Sequence, residues 1–438
     1  MKRVYLDEWF VNAGLLGFKK VLDQYANPTD YKVHAQFIEF NPTVLNSFAT
    51  YFFEVLINQF SKYDQDRIYL NKCMSIAENS EKFSDMKTKV VARIKATKDK
   101  VKKSLPEESA PFETILQEIK SLSKSEDFSV LYEKINLYLN LLKKPIVNDM
   151  LTINYLRSVL GNLFGQPSFL NPSFSGSKHD FIQKFHQDYV EPVIEECKLL
   201  DWIKQQSPEK LIPLLKDKKK TSTNVHEKEL INTALKQLSA VHQVMECSIQ
   251  SDFMGVMQFE EMHFSPLGLS LKNENIGWNG SNTTYISNVT KLLLFCSPVA
   301  MVYYSKNKHA GYLMEADYIP TYAFVNLDVS IRKLEDANKR LANKRDAEHP
   351  YQEFMYDILM EVEDISKFAL QNTLFVEFSN EGKNCKLDYF HIPKKLALFF
   401  QEDAVELKRI SHNRYRNFLI EAILKRKSLM IFITNHLR

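Results

Sequence analysis

The chain has 438 residues, enough for one to three domains with a sizeable core. Its 45% apolar and 25% charged content fits a soluble globular protein and excludes a disordered or collagen-like chain. With only 11 Gly against 30 Phe and 20 Tyr, and a net charge of +3, the composition argues against a Gly-rich nucleotide-binding enzyme, favours a helix-rich architecture and names no partner by overall charge.

The first predicted element is the most informative. Asp7 to Leu22 reads DEWFVNAGLLGFKKVL and has the apolar spacing of a helix, with Trp9, Phe10 and Ala13 opening a stripe that Gly17, Val21 and Leu22 continue. That helix carries Asn12, Gly14 and Gly17. A mid-helix Gly costs ~1 kcal/mol relative to Ala, and a buried Asn must find partners. A sequence that accepts both brings another backbone, or a nucleic acid, close to that face. Tyr31–Phe40 alternates as a strand. Asn41-Pro42-Thr43 then opens a further helix with Pro near its first turn.

Residues 66–104 read as helical and increasingly basic, with Lys82, Lys87, Lys89, Arg93, Lys95, Lys98, Lys100, Lys102 and Lys103 close together over 82–103 and few aromatics nearby. Most such runs are solvated helix faces. Pro106 to Pro111 marks a break, and residues 112–164 supply two or three amphipathic helices separated near Ser125 and Pro145. Gly165 to Pro172 is a turn-rich connection, followed by a long helix from about Lys178 to Gln206. Asp217 to Asn224 (DKKKTSTN) reads as a polar, basic loop, and another helix reaches about Met245. Residues 251–290 read as irregular, with turns at Ser265-Pro266 and Asn279-Gly280.

Short strands are expected over 316–329 and charged helices over Ser330–Arg345 and Tyr351–Gln371. Thr373–Phe378 and Lys386–Ile392 alternate around Asn380–Asn384, a β-hairpin signal. Gln401 to Arg438 closes the chain as a helix or helix pair. The expected fold class is mainly α with small β elements (α+β), an irregular N-terminal domain followed by a helical C-terminal part.

The five cysteines, Cys73, Cys197, Cys247, Cys296 and Cys385, form no Cys-x-x-Cys pair. Free, mostly buried thiols in a reducing cytoplasm are expected. Asp7 and Glu8 interrupt any apolar signal-peptide core at the N-terminus. The apolar run Leu292–Tyr304 is too short to span a bilayer and contains Pro298. No membrane partner is expected.

No HExxH, GxSxG, P-loop or GGDD signature occurs. His179-Asp180 resembles the HD pairs of some metal nucleases, but without a further His and Asp set it reads as a helix-start pair. Cys247 with His242, and Cys296 with His309, lack the paired short spacings of a four-ligand zinc site. The expectation is a protein without catalytic residues, metal or cofactor.

Nucleic acid is the better-supported partner. Arg409, His412, Arg414, Tyr415, Arg416 and Phe418 mix cations with stacking groups, and Lys425 and Arg426 extend the charge. A phosphate backbone with exposed bases calls for that mixture. The loop Phe264–Asn279 sets Asn273, Asn275, Trp278 and Asn279 among Pro and Gly turns. Ordering so polar a loop is costly. It is either a set of Asn-driven turns with one aromatic anchor or a surface for an RNA or DNA strand.

Three segments in order, WFVNAGLLGF at 9–18, FGQPSFLNPS at 164–173 and FSPLGLSLKNENIGWN at 264–279, resemble the large subunit of the type I-B CRISPR interference complex (Cascade). The group is the Cas-eight large subunits, in their shorter Cst-type branch. The resemblance covers about residues 1–310, taken as the large-subunit N-terminal region, and leaves 311–438 as a hairpin-containing, helical C-terminal region. It implies a non-catalytic subunit at the crRNA 5′ handle end, which reads the PAM on duplex DNA, starts the R-loop, helps hold the displaced strand and docks the helicase-nuclease. The implied partners are crRNA, target double-stranded DNA, and the backbone, handle-holding and small subunits. Base pairing would then supply target specificity while the protein reads only the short PAM.

The matching positions include Asn12, Gln166, Ser168, Asn171, Asn275, Trp278 and Asn279. With Lys218, Lys219, Asn273 and the C-terminal cations Arg409, Arg414, Arg416, Lys425 and Arg426 they form the candidate nucleic-acid-binding set. Many relatives carry CxxC pairs around the third motif. Tyr285–Leu294 has no Cys and Cys247 stands alone, so no zinc is expected. A helical scaffold that only bridges other subunits is the alternative reading.

Overall fold

The computed structural model describes residues 1–77, 83–122, 127–268, 284–307, 318–327, 330–344, 373–381, 384–391, 409–424, 428, 430 and 434. In chain order the elements are β1 (Lys2–Tyr5), α1 (Trp9–Leu22), β2 (Tyr31–Val33), β3 (Phe37–Phe40), α2 (Phe48–Gln59), α3 (Lys62–Ala77), α4 (Phe83–Ser104), α5 (Ala110–Ser121), α6 (Phe128–Leu142) and α7 (Pro145–Leu160). They continue with α8 (Lys178–Phe185), α9 (Glu191–Ile203), α10 (Leu211–Thr221), α11 (Val225–Val241), β4 (Met257–Gln258), β5 (Tyr285–Ile286) and α12 (Asn288–Ala300). The last are β6 (Val302–Asn307), β7 (Tyr318–Leu327), α13 (Ile331–Ala342), β8 (Thr373–Glu381), β9 (Asn384–His391) and α14 (Asn413–Leu424). The architecture is mainly α with small β elements, as the composition implies.

The chain forms two compact units. The first comprises Met1–Phe48, Asn162–Gly165 and His186–Arg438. It contains a three-stranded antiparallel sheet ordered β1-β3-β2, in which both Lys2 and Tyr31 lie opposite Phe40. It also contains a four-stranded antiparallel sheet ordered β6-β7-β8-β9, with Tyr322 opposite Phe378. Asn338 on α13 brackets β7: its amide accepts from Val325 N at 3.0 Å and donates to Val325 O at 2.8 Å. α1 lies along α12 in the middle of this unit and buries most of its residues.

The second unit, Ala49–Gly161 with Gln166–Phe185, is helical. α4 shows why its basic sequence folds: Phe83, Met86, Val90, Ile94, Thr97 and Val101 recur every three or four residues and are all buried, while the lysines take the other faces. This stripe joins Phe112, Ile119, Leu131 and Tyr138 in one core.

Several expected elements differ in detail. The single strand over Tyr31–Phe40 is two strands, because the chain breaks at His34–Gln36, where Gln36 O accepts from Leu6 N. The long helix from Lys178 is interrupted by a π turn at His186–Val190. Pro192 has no N–H to give the carbonyl of Asp188, and Lys291 Nζ reaches that oxygen at 3.3 Å instead. The loop expected over Asp217–Asn224 is helical to Thr221: Lys218, Lys219 and Lys220 occupy the last turn of α10, where cations suit the negative end of the helix dipole. The expected strands near 316–329 and the hairpin near 373–392 correspond to β7, β8 and β9. The helix expected over Tyr351–Gln371 lies outside the described residues, as does most of Gln401–Arg438 apart from α14.

Candidate nucleic-acid interface

The glycines of α1 meet a backbone. A Cβ at Gly14 would stand 2.2 Å from the carbonyl oxygen of Leu293, and one at Gly17 would stand 2.0 Å from that of Cys296. Only hydrogen fits at either site, so the Gly-x-x-Gly face is closed by α12. Asn12 is 2% exposed. Its oxygen accepts from Asp7 N at 2.8 Å, and its amide nitrogen donates to Asp7 O at 2.7 Å and to Asn326 Oδ1 at 2.9 Å. Both costs read from the sequence are thus met by protein atoms of the first unit, and Asn12 is turned inward.

Aromatic residues from the three motifs converge at the same place. Trp9 lies 6.0 Å from Phe264 between ring centroids, Phe10 6.5 Å from Phe264, and Phe164 5.9 Å from Phe264. Phe164 stacks on Phe295 of α12 at 4.5 Å. Polar bonds hold the neighbouring chain in register. Gln250 is buried and pairs with the backbone of Tyr5, accepting at 2.7 Å and donating at 3.0 Å. Glu196 is buried and accepts from Met254 N at 2.9 Å and Asn288 N at 3.0 Å. Burial outweighs those two bonds and raises its carboxyl to about 7.

The second unit holds a cavity of about 580 Å³ lined by α3, α4, α7, α8 and the segment before α8. Lys62, Lys100, Lys103 and Arg157 contribute cations to its wall, and no carboxylate does. Thr97, Ser104 and Asn154 add polar groups, and Tyr155, Phe174 and Phe181 add rings. The floor is buried at Lys62, Thr97 and Leu151, and the rim is exposed at Lys100, Lys103 and Pro172.

Behind the floor sits Asp66, which bonds Arg93 Nη2 at 2.7 Å, pairs with Lys62 Nζ at 3.0 Å and accepts from the Tyr138 hydroxyl. Burial pushes Asp66 up, but Lys62, Arg93 and Tyr138 outweigh it and hold the carboxyl below its usual range. Lys62 lies over the Tyr155 ring at 5.9 Å. Burial lowers its ammonium to about 8 against the pull of Asp66, with Arg93 and Lys100 adding to the fall.

The second motif reaches this cavity at Pro172, and its backbone helps hold the lining residue Arg157. Arg157 Nε donates to Phe169 O at 2.9 Å, its Nη2 donates to Phe174 O, and its guanidinium lies 4.7 Å from the centroid of Phe181. Gln166 and Ser168 both have positive φ, of 60° and 55°, a region that disfavours side chains. Gln166 is exposed, while Ser168 Oγ is buried without a hydrogen-bond partner among the described residues. Asn171 closes a turn by accepting from Ser173 N at 3.0 Å and Ser173 Oγ at 2.8 Å, just ahead of the cavity-lining Pro172 and Phe174.

The other candidates stand apart from this group. In the first unit Lys218 bonds Glu227 at 2.7 Å and lies 5.3 Å from the Trp202 ring, while Lys219 is exposed. Arg409 is exposed, Arg414 lies on α14, and half-buried Arg416 donates to Ile410 O at 3.5 Å. Asn273, Asn275, Trp278, Asn279, Lys425 and Arg426 lie outside the described residues. Sequence reading passed over Lys62, Asn154, Tyr155 and Arg157. The sequence signal nearest to the site is the basic run ending at Lys103, which by itself reads as a solvated face.

His179-Asp180 sits at the start of α8, where Asp180 accepts from Ser177 N at 2.7 Å and Ser177 Oγ at 2.8 Å. No group of three or more metal-ligating side chains occurs among the described residues. No helix among them is long and apolar enough to cross a membrane.

Residues 250–302 match the family model described as CRISPR-associated protein (Cas_CXXC_CXXC), a match that indicates a CRISPR-associated protein. The matched segment contains α12, Gln250, Met254, Phe264 and the Asn-rich stretch 273–279 of the sequence. Its sole cysteine is Cys296, fully buried against α1, so the segment lacks the two thiol pairs of the family's name and cannot build a four-thiolate zinc site. Cys247, just before it, instead contacts Thr290 Oγ1 at 3.3 Å. Neither a curated protein nor a solved structure matches the chain.

Proposed function

We propose that this chain is the non-catalytic large subunit of a crRNA-guided CRISPR interference complex of type I-B kind. The observation that carries the reading is the aromatic junction of Trp9, Phe164 and Phe264, because it makes three separately spaced motifs one structural feature that includes the matched segment. In this role residues 1–310 supply the end that holds the crRNA 5′ handle and reads the PAM, and 311–438 supply the C-terminal region. The subunit begins the R-loop, steadies the displaced strand and docks the helicase-nuclease. It works in the cytoplasm with backbone, handle-holding and small subunits, and carries no catalytic residues of its own. Arg409, Arg414, Arg416 and the loop from Asn273 to Asn279 are its proposed strand contacts.

The test is purification of the native complex and sequencing of the RNA that accompanies it. Repeat-derived 5′ handles, with duplex DNA bound only beside a permitted PAM at fixed salt, are the expected result. Equal binding to a PAM-mutated duplex would sink the reading. The alternative, a bridging scaffold, draws on the inward engagement of Asn12, Lys218 and Arg416. It requires that no DNA crosslinks form at Arg409 or Arg414.

A further inference from the structure

We propose that the cavity of the second unit is a binding site for single-stranded nucleic acid, with Lys62, Lys100 and Lys103 facing a phosphodiester and the Tyr155 and Phe174 rings facing a base. The choice of nucleic acid over another polyanion rests on the proposed function; the site itself rests on its own geometry. Three cations from two helices and the Arg157 guanidinium line one wall system with no carboxylate among them. Behind the wall the single carboxylate of Asp66 faces two cations, Lys62 and Arg93, so the cavity keeps net positive charge.

The volume of about 580 Å³ lies in the range that encloses a nucleotide-sized ligand. The open rim favours a strand over a free nucleotide. Exposed Lys102 and Lys103 close α4 beside exposed Lys100, so positive charge continues out of the cavity along one helix. Rings beside cations are what a strand with unpaired bases can use and a duplex cannot, since stacking needs an exposed base face. Asn154 Nδ2, which donates to Ser104 Oγ at 3.0 Å, leaves its carbonyl oxygen to orient a base edge.

The experiment uses the full chain and fluorescein-labelled dT and rU oligonucleotides of about 12 nucleotides. Competitors are a mononucleotide and a hairpin duplex. Variants are Lys100→Glu/Lys103→Glu and Phe174→Ala, with Lys204→Glu/Lys236→Glu as a charge-matched control on the exposed surface of the first unit. The cavity double variant is expected to weaken oligonucleotide binding more than about tenfold at low salt and to reduce the salt slope by about 1.4, at roughly 0.7 for each phosphate no longer neutralised. Phe174→Ala is expected to weaken binding by about five- to a hundredfold without altering the slope. Equal dT and rU affinities support a backbone-and-stacking site.

A salt slope and affinity unchanged in Lys100→Glu/Lys103→Glu overturn the proposal, as does a loss equal to that of the control pair. A mononucleotide or the duplex competing as well as the strand also overturns it. Each variant's melting temperature and circular dichroism are read alongside, and the affinity of Phe174→Ala decides the matter if the double variant does not fold. Failure of the proposed function shows differently: the native complex then lacks repeat-derived RNA, whatever the cavity binds.

Discussion

Phe264 meets Trp9 nearly edge-on, with ring centroids 6.0 Å apart and planes inclined at 64°. Phe264 is fully buried and also touches Phe164 at 5.9 Å and Phe378 at 6.2 Å. Such pairs contribute about 0.5–1.5 kcal/mol beyond their area burial. The three sequence motifs therefore encode, in good part, how the first unit packs. Trp9, Gly14, Gly17, Phe164 and Phe264 are core.

The tightest approach in that core is the easiest to test. Gly17→Ala places a methyl group 2.0 Å from the carbonyl oxygen of Cys296, which cannot swing aside as a flexible side chain could. α1 and α12 must separate, and overpacking of this kind costs about 1–3 kcal/mol or more. Gly14→Ala has the same effect through Leu293 O at 2.2 Å. Thermal melts are expected to fall by about 2–4 °C for each kcal/mol. A Gly17→Ala protein that melts with the wild type would show that the helices are not in this contact.

Sequence reading found the close approach at Gly14 and Gly17 because a glycine inside a helix weakens it unless something must pack against the bare backbone, but it could not say whether backbone or nucleic acid made the approach. The partner of Asn12 was out of reach, since Asn326 lies on a strand far along the chain. The π turn was hidden because the bond from Lys291 Nζ to the Asp188 carbonyl, which Pro192 leaves without an N–H donor, is tertiary. The basic cavity was illegible for a related reason. Lys62, Lys100 and Arg157 come from three helices, and each in its own sequence context looks like an ordinary surface cation. α4 misled most, because its charge run does have a solvated face, and only the tertiary structure shows that its last two turns also edge a cavity.

Asp66 fixes the floor of that cavity. Replacing it by Asn leaves Lys62 and Arg93 buried against each other without a counter-charge. Loss of one partner of such a buried network costs about 3–5 kcal/mol. Because the folded carboxyl is held below its usual range, its stabilisation is present above the unfolded value of 3.8 and is lost as pH falls through the folded value. Denaturant unfolding should show a large loss for Asp66→Asn at neutral pH and a shrinking difference in acid. A neutral-pH loss below about 1 kcal/mol would mean that the network is not formed.

Lys62 gives the cavity a pH signature. Burial lowers its ammonium from 10.5 to about 8, with Asp66 opposing the fall and Arg93 and Lys100 adding to it. Between those two values the unfolded chain holds a proton that the folded chain does not, so its contribution makes stability rise with pH across that window. Anion binding runs the other way, since it needs the charged form. Oligonucleotide affinity should decline as pH rises through about 8, and Lys62→Arg, whose guanidinium stays charged, should remove the decline. A wild-type affinity flat through that range would take Lys62 out of the site.

Glu196 is the corresponding test in the first unit. It is fully buried, and its two oxygens accept from Met254 N and from Asn288 N at the start of α12, so the ionised form is held by two backbone donors. Burial still outweighs them and lifts the carboxyl from 4.5 to about 7. With the folded value above the unfolded one, the folded state binds the extra proton between the two. Its contribution to stability is therefore complete below about 4.5 and lost as pH rises through about 7. Glu196→Gln keeps one acceptor oxygen, turns a donor toward the other backbone N–H and cannot titrate. Relative to wild type it should be least stable below about 4.5 and should recover as pH rises from there to about 7, which paired melts at the two ends of the window would reveal. A constant difference across the window would mean that Glu196 stays ionised throughout, with the two backbone donors and the α12 dipole overcoming its burial.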